Sequence, residues 1–375
     1  MTSPLEQKLL TSLNAVQGSE ARALVLAELG AYWARVGERE RAEQARKILR
    51  QEFGSYLNPR VSILIIVLEA LQAYYGDLSP LARDRMLRAS LLSKGFREQG
   101  LIALTSAWMA HIEFNHSRFD SMVTEISRAF EALAQSADDP GFTPCRLALT
   151  LGDANLFAGL AAQSQAWYEI ARQEASRRGD HAAVGALTYN RAALRVARAR
   201  FDALAQVESG IDRTLLRLDV ESAINYQAAA RLSSLEHLLA SSKASLLVLQ
   251  AQYEAAVEPL LQLLSGTEVP QKSAERLLLR ADLALSLAQC GRLEEARVHL
   301  EECFSSYSDV AFVLSDDQCV IASSVSESAR LCAIPNAPEA WSAQLKGAIE
   351  QHSELCQRLR EQLVQFPPVP FRTAH

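Results

Sequence analysis

A small residue followed by an aromatic or aliphatic side chain punctuates this chain about every forty residues, a spacing that marks helical repeats. The occurrences are Gly37-x-x-x-x-Ala42, Gly76-Asp77-Leu78, Ser117-x-Phe119-x-x-Met122, Ala199-x-Phe201-x-x-Leu204, Ala251-x-Tyr253-x-x-Ala256 and Gly291-x-Leu293-x-x-Ala296. Each small residue is expected to end one helix, and the residue two positions on to start the next. A chain that repeats itself this way stacks helix pairs, each burying its apolar face only on its neighbours. The expected body is a single elongated solenoid rather than two or three globular domains.

Composition agrees. The chain is 49% apolar and 22% charged, with only 16 Gly and 12 Pro in 375 residues, so it is neither disordered nor fibrous. Ala, Leu, Arg, Glu and Gln dominate, and these are strong helix formers. The first pair runs from Ala21 to Arg50, after a capping helix over residues 3–17. The second runs from Val61 to Lys94, with Ser79 as an N-cap and Pro80 at the first helical position of its second helix. The third covers Gln99 to Gln135 and is closed by the turn cluster Asp138-Asp139-Pro140-Gly141. A fourth, Thr143 to Arg178, is anchored only by Ala161 and Ala166. The fifth starts near His181.

Between Asp219 and Gln250 no Gly or Pro divides the chain, so either the helices lengthen there or an extra short helix intrudes. The seventh pair spans Lys272 to Ser306. An orphan helix over Phe312 to Cys332 follows, and a long helix from Glu339 to Gln365 comes after the break at Pro335 to Pro338. The division is therefore a helical-repeat solenoid over 1–336, a capping or connector helix over 337–366 and a Pro-rich tail over 367–375.

The pattern Leu29-Gly30-x-x-Trp33-x-x-x-Gly37-x-x-x-x-Ala42 resembles a tetratricopeptide repeat. The seventh pair fits it with Ala284 in the glycine place. The step of about forty residues exceeds the 34 of the standard unit, and resembles the longer repeats in the sensor region of the LuxR-type maltose regulator and its relatives. The resemblance covers residues 20–305. It implies an all-α, right-handed alpha-alpha superhelix of about seven helix pairs, finished by a long C-terminal capping helix, that binds a partner on its concave face. The carboxylate clamp of some family members needs Lys and Asn on first helices. The corresponding places here hold Ala27, Ala31, Ile66, Ala70, Ala107, Ala281 and Leu285, and only Asn155 fits.

Charge and cysteine usage narrow the functions. There are 38 Lys and Arg against 44 Asp and Glu, a net charge of −6. A nucleic-acid binder usually carries a basic face, so no direct nucleic-acid contact is expected. Six cysteines sit singly in helical segments, as small apolar residues of a reducing compartment do. The opening Met1-Thr-Ser-Pro lacks a basic start followed by an apolar run, and the apolar stretch from Val61 stops at Glu69. Neither a secretory signal nor a membrane span is expected, and the cytoplasm is the default location.

Two constellations stand out. Arg191, Arg195 and Arg198 lie at i, i+4 and i+7 on one helix face. They suit a phosphate, an acidic peptide or a receiver-domain surface if they face the groove; on the outer face they form a solvated stripe paired to nearby carboxylates. Tyr74, Tyr75, His111, Phe114, Asn115, Asn155, Tyr189 and Asn190 fall near the ends of first helices or at groove positions. Aromatics with adaptable amides make recognition surfaces, although packing between repeats uses the same residues.

His299 and Cys303 share a face but have no third ligand nearby in sequence, so no metal is expected. No phosphate loop, HExxH, GxSxG or CxxC is present, so neither catalysis nor a cofactor is expected. The expected function is a non-catalytic regulatory or adaptor scaffold that binds a protein or peptide in its groove. The alternatives are a ligand or peptide sensor whose superhelix changes curvature, and the sensor arm of a signal-transduction protein without its output domain.

Overall fold

The computed structural model describes residues 3–53, 58–136, 141–207, 211–234, 236–266, 269, 273–307 and 313–371. Every regular element among them is α-helical: α1 (Pro4–Ala15), α2 (Ser19–Val36), α3 (Arg39–Phe53), α4 (Pro59–Asp77), α5 (Leu81–Phe96), α6 (Gln99–Asn115), α7 (Phe119–Gln135), α8 (Thr143–Phe157), α9 (Ala161–Arg178), α10 (His181–Leu204), α11 (Arg213–Ala230), α12 (Glu236–Leu249), α13 (Tyr253–Ser265), α14 (Ala274–Gln289), α15 (Leu293–Ser306), α16 (Ser315–Leu331) and α17 (Ala337–Leu363). From α2 onward they pack as consecutive neighbouring pairs, an α-helical solenoid.

The punctuation has a backbone cause. Gly37, Ser117, Gly159, Ala251 and Gly291 all have positive φ, and a helix starts two residues after each of them. A left-handed residue at this position lets following amides reach back to the last carbonyls of the finished helix. In the first pair Glu38 N donates to Trp33 O at 2.9 Å. Gly37 has a second constraint: a Cβ there would lie 2.4 Å from Ser233 Oγ. In the fourth pair the anchor is Gly159, two residues before Ala161.

Four expectations change. Gly76 ends no helix and Leu78 starts none: α4 runs to Asp77, Leu78 takes the left-handed turn at φ 52°, and α5 starts at Leu81. Ala199 ends no helix, because Ala favours helix and neither Gly nor Pro interrupts the run; α10 continues to Leu204 and turns at Gln206, φ 54°. The undivided stretch from Asp219 to Gln250 is split at Arg231, which adopts φ 55° without being glycine. Leu232 N donates to Gln227 O at 3.0 Å and closes that cap. The helix read as an orphan is α16, and it packs along α17 as a further pair. Asp138, Asp139, Pro140, Lys272 and Phe312 lie outside the described residues.

The solenoid also folds back on itself instead of extending as an open arm. Its N-terminal arm returns to the start of α10, where Leu5 N donates to Gly179 O at 3.3 Å, and to the turn after α11, where Ser233 N donates to Val36 O at 3.0 Å. Arg35 Nη1 meets Asp180 Oδ2 at 2.8 Å with both side chains buried. Asp180 is also the N-cap of α10, its Oδ1 accepting from Ala183 N at 3.0 Å. The C-terminal arm returns through α16, which packs on α10, and through α17, which reaches α7 and α8. Arg360 Nε donates to Ala158 O at 2.5 Å, a cation at the negative end of α8. Beyond α17, Phe366 and Phe371 stack on Phe130 with centroids 6.0 and 5.6 Å away. α10 thus stands where both arms meet.

Candidate functional site

One face of α10 carries Ala182, Gly185, Ala186, Tyr189, Asn190, Ala193, Leu194 and Ala197, a stripe at helical spacing that is mostly small. Small side chains leave room, and two adjoining hollows open along this face. The first is a cavity of about 350 Å³ that also takes Tyr74 and Tyr75 from α4, His111 and Asn115 from α6, and Arg146 and Asp153 from α8. Its size is that of a small-ligand pocket.

Every residue of α8 is buried, so the two charges in its interior need an account. Arg146 is 1% exposed. Its guanidinium lies 4.0 Å from the centroid of Trp108 and 5.2 Å from that of Phe142. Nη2 donates to Tyr75 Oη at 3.2 Å, while Nε has no hydrogen-bond partner. No carboxylate among the described residues forms an ion pair with it. Asp153, two turns along, accepts from Tyr168 Oη at 2.8 Å and from Asn190 Nδ2 at 2.7 Å. Both its oxygens are therefore engaged elsewhere. Burial pushes its carboxyl up to about 7.

On the opposite wall Asn115 Nδ2 donates to Tyr74 Oη at 2.7 Å, and Tyr74 Oη lies 2.9 Å from His111 Nε2. The Tyr74 hydroxyl, which accepts from the amide, can also donate to an unprotonated Nε2 or accept from Nε2–H, and His111 Nδ1 has no hydrogen-bond partner. Burial, with Arg146 adding to it, holds His111 well below the usual imidazole range. It is a neutral, fixed group.

The second hollow, about 340 Å³, shares Leu78, Tyr189, Ala193, Leu194, Leu238 and Leu314 with the first. Its far wall is acidic, formed by Glu275, Asp316 and Asp317. Asp316 is 8% exposed and its Oδ1 has no hydrogen-bond partner. Burial raises both aspartates, and the charge of Asp316 raises Asp317 further. Arg200 borders the same hollow, but Asp282 holds it through contacts of 2.9 and 2.5 Å.

Of the residues singled out from sequence, Tyr74, Tyr75, His111, Phe114, Asn115, Tyr189 and Asn190 come together around the first cavity. Asn155 does not; it is buried and donates to Leu151 O of its own helix at 2.7 Å. The arginine stripe points away as well. Arg191 and Arg195 converge on Asp219 of α11, and Arg198 pairs with Asp202 at 2.7 Å. These three lie about a third of a helical turn away from the small-residue stripe, because each residue advances about 100°. Arg146 and Asp153 escaped the sequence reading, whereas Asp316 and Asp317 read from sequence as helix-start acids and stand in the first turn of α16. The signal for the first two was present: a lone arginine in the run Cys145 to Leu151, with an acid seven residues on and so on the same face.

Among the described residues no group of three or more His, Cys, Asp or Glu could hold a metal ion, and no helix is long and apolar enough to cross a membrane. No protein-family model matches the chain, and a search of curated proteins finds no match either.

Proposed function

We propose that the chain is a non-catalytic regulatory solenoid, tetratricopeptide-like in its repeats, that senses an anionic small ligand inside its superhelix. The observation that carries this reading is Arg146: a buried cation without a carboxylate partner, stacked on Trp108 at the wall of a cavity. Leaving an ion buried and unpaired costs several kcal/mol. An organic anion in the cavity would offset that cost with a charge-assisted bond to Nε, while the Tyr74, His111 and Asn115 relay presents a preset polar wall. The site touches α4, α6, α8, α10, α11 and α12, so occupancy bears on the helices through which the N-terminal arm closes. A regulator needs such a link between ligand and shape.

A second reading, an adaptor that docks a protein on its outer surface, draws on one observation. Leu91, Leu92 and Phe96 stand 60%, 44% and 42% exposed at the end of α5, where a contiguous apolar patch favours a partner.

Ultrafiltration of the full chain with a dialysable extract of host cells, followed by mass spectrometry of what is retained, tests the sensor. Anionic compounds should be retained by the natural protein and lost on Arg146→Met, an apolar side chain of similar length. Retention of nothing, or equal retention by the variant, refutes the reading.

A further inference from the structure

We infer that the two hollows form one binding site for a linear zwitterion, with a carboxylate at Arg146 and a cationic amine against Glu275, Asp316 and Asp317. The inference rests on the reading of Arg146 as an anion site and extends it to the second hollow.

Three observations carry it. The hollows adjoin, since Leu78, Tyr189, Ala193, Leu194, Leu238 and Leu314 line both. Their ends bear ionisable side chains of opposite type, each with an unpartnered atom. At the first end Nε of Arg146 has no partner, and at the second neither does Oδ1 of Asp316; both side chains are more than nine-tenths buried. The cations near the acidic end are already engaged: Arg200 by Asp282 and Arg198 by Asp202. His237 lies 3.8 Å from Glu275, whose Oε1 also accepts from Ser241. Burial raises Asp316 and Asp317, and a ligand ammonium beside them and Glu275 would favour their ionised forms.

The spacing gives the length. Along α10 the lining of the first hollow runs from Ala182 to Leu194 and that of the second from Tyr189 to Arg200. About six or seven residues of helix separate the middles of these spans, or about 10 Å at 1.5 Å per residue. An extended chain covers about 3.3–3.6 Å per residue, so a peptide of about three residues with both ends free spans the site. The shared lining would hold its middle.

A randomised mixture of tripeptides makes the probe, in three forms: both ends free, N-acetylated, and C-amidated. Each is filtered with the full chain, and retained peptide is measured by mass spectrometry. Free-ended peptides should be retained, and capping either end should lower retention at least about tenfold, the scale of losing one buried charge partner. Asp316→Asn should abolish the preference for a free amine while leaving the need for a free carboxylate; Arg146→Met should do the reverse. Equal retention of acetylated and free peptides, with amidated ones lost, overturns the two-ended site and leaves the anion site standing. Equal retention of amidated and free peptides overturns the role of Arg146 as well. Retention of none of the three overturns the zwitterion inference, and the anion site is then decided by the extract experiment alone.

Discussion

Arg35 and Asp180 lie 145 residues apart in sequence and 2.8 Å apart in space. The pair joins the end of α2 to the first turn of α10, with the guanidinium 4.1 Å from the ring centroid of Phe142. It is the buried partner of a second, more exposed pair at this junction, Arg178 with Glu28 at 3.4 Å.

Removing one member of this pair strands the other in an interior where it cannot reach water. Arg35→Met should lower unfolding free energy by about 3–5 kcal/mol, as breaking buried pairs does. Asp180→Asn should also destabilise, and the double variant should lose less than the two single losses combined. Urea unfolding of all four proteins checks this. Additive losses would show that the two side chains act independently.

The solenoid was legible in the sequence because its turns use a positive-φ residue that is usually small. Gly37, Ser117, Ala251 and Gly291 are both visible in the pattern and left-handed in the backbone. Arg231 occupies the same conformation without the composition, so that boundary left no mark. Ala199 shows the converse, fitting the pattern inside a continuous helix. Half of the first cavity was legible for a similar reason, since Tyr74, His111, Asn115, Tyr189 and Asn190 sit at inner positions of first helices. The closure of the arms, and with it the burial of Arg146 and Asp316, depends on contacts between distant residues, which no local periodicity records.

The arginine stripe offers a separate test. Arg191 and Arg195 share Asp219 and face α11 rather than the cavity. Replacing both by Ala should therefore leave retention of small anions from cell extract unchanged. Stability should fall by about 1–2 kcal/mol, more than an exposed pair gives because Asp219 is nearly buried. Thermal melting and the ultrafiltration assay separate the two effects; lost retention with unchanged melting would place these arginines in the site.

Two buried groups set opposing pH dependences. Burial holds His352 at about 4, below its unfolded value near 6.5. As pH falls from 7 to 5 the unfolded chain gains a proton that the folded chain refuses, so stability is lost, by about 2 kcal/mol. Asp153, pushed up to about 7, does the reverse. The folded chain takes the proton first, and stability rises by about 2 kcal/mol over the same interval.

The two contributions oppose each other in the natural protein, where His111 adds to the acid-side loss and Asp316 and Asp317 to the gain. Single variants expose them. Measured by urea unfolding at pH 7 and pH 5, His352→Gln should gain stability on acidification relative to the natural protein, and Asp153→Asn should lose it. Parallel profiles for all three would remove both assignments. Ligand binding should follow Asp153 as well: its protonation leaves Arg146 as the excess charge in the cavity, so anions should bind more tightly at pH 6 than at pH 8.

Trp108 lies under the Arg146 guanidinium, and the chain has 4 Trp in all. Labelling with 5-fluorotryptophan gives one fluorine resonance for each of Trp33, Trp108, Trp167 and Trp341, with Trp108 assigned from Trp108→Phe. Titrating the labelled chain with the anionic compounds retained from cell extract should move the Trp108 resonance while Trp33 and Trp341 stay in place, and Arg146→Met should abolish the movement. An unmoved Trp108 resonance under saturating ligand would contradict an anion site in the interior of the solenoid.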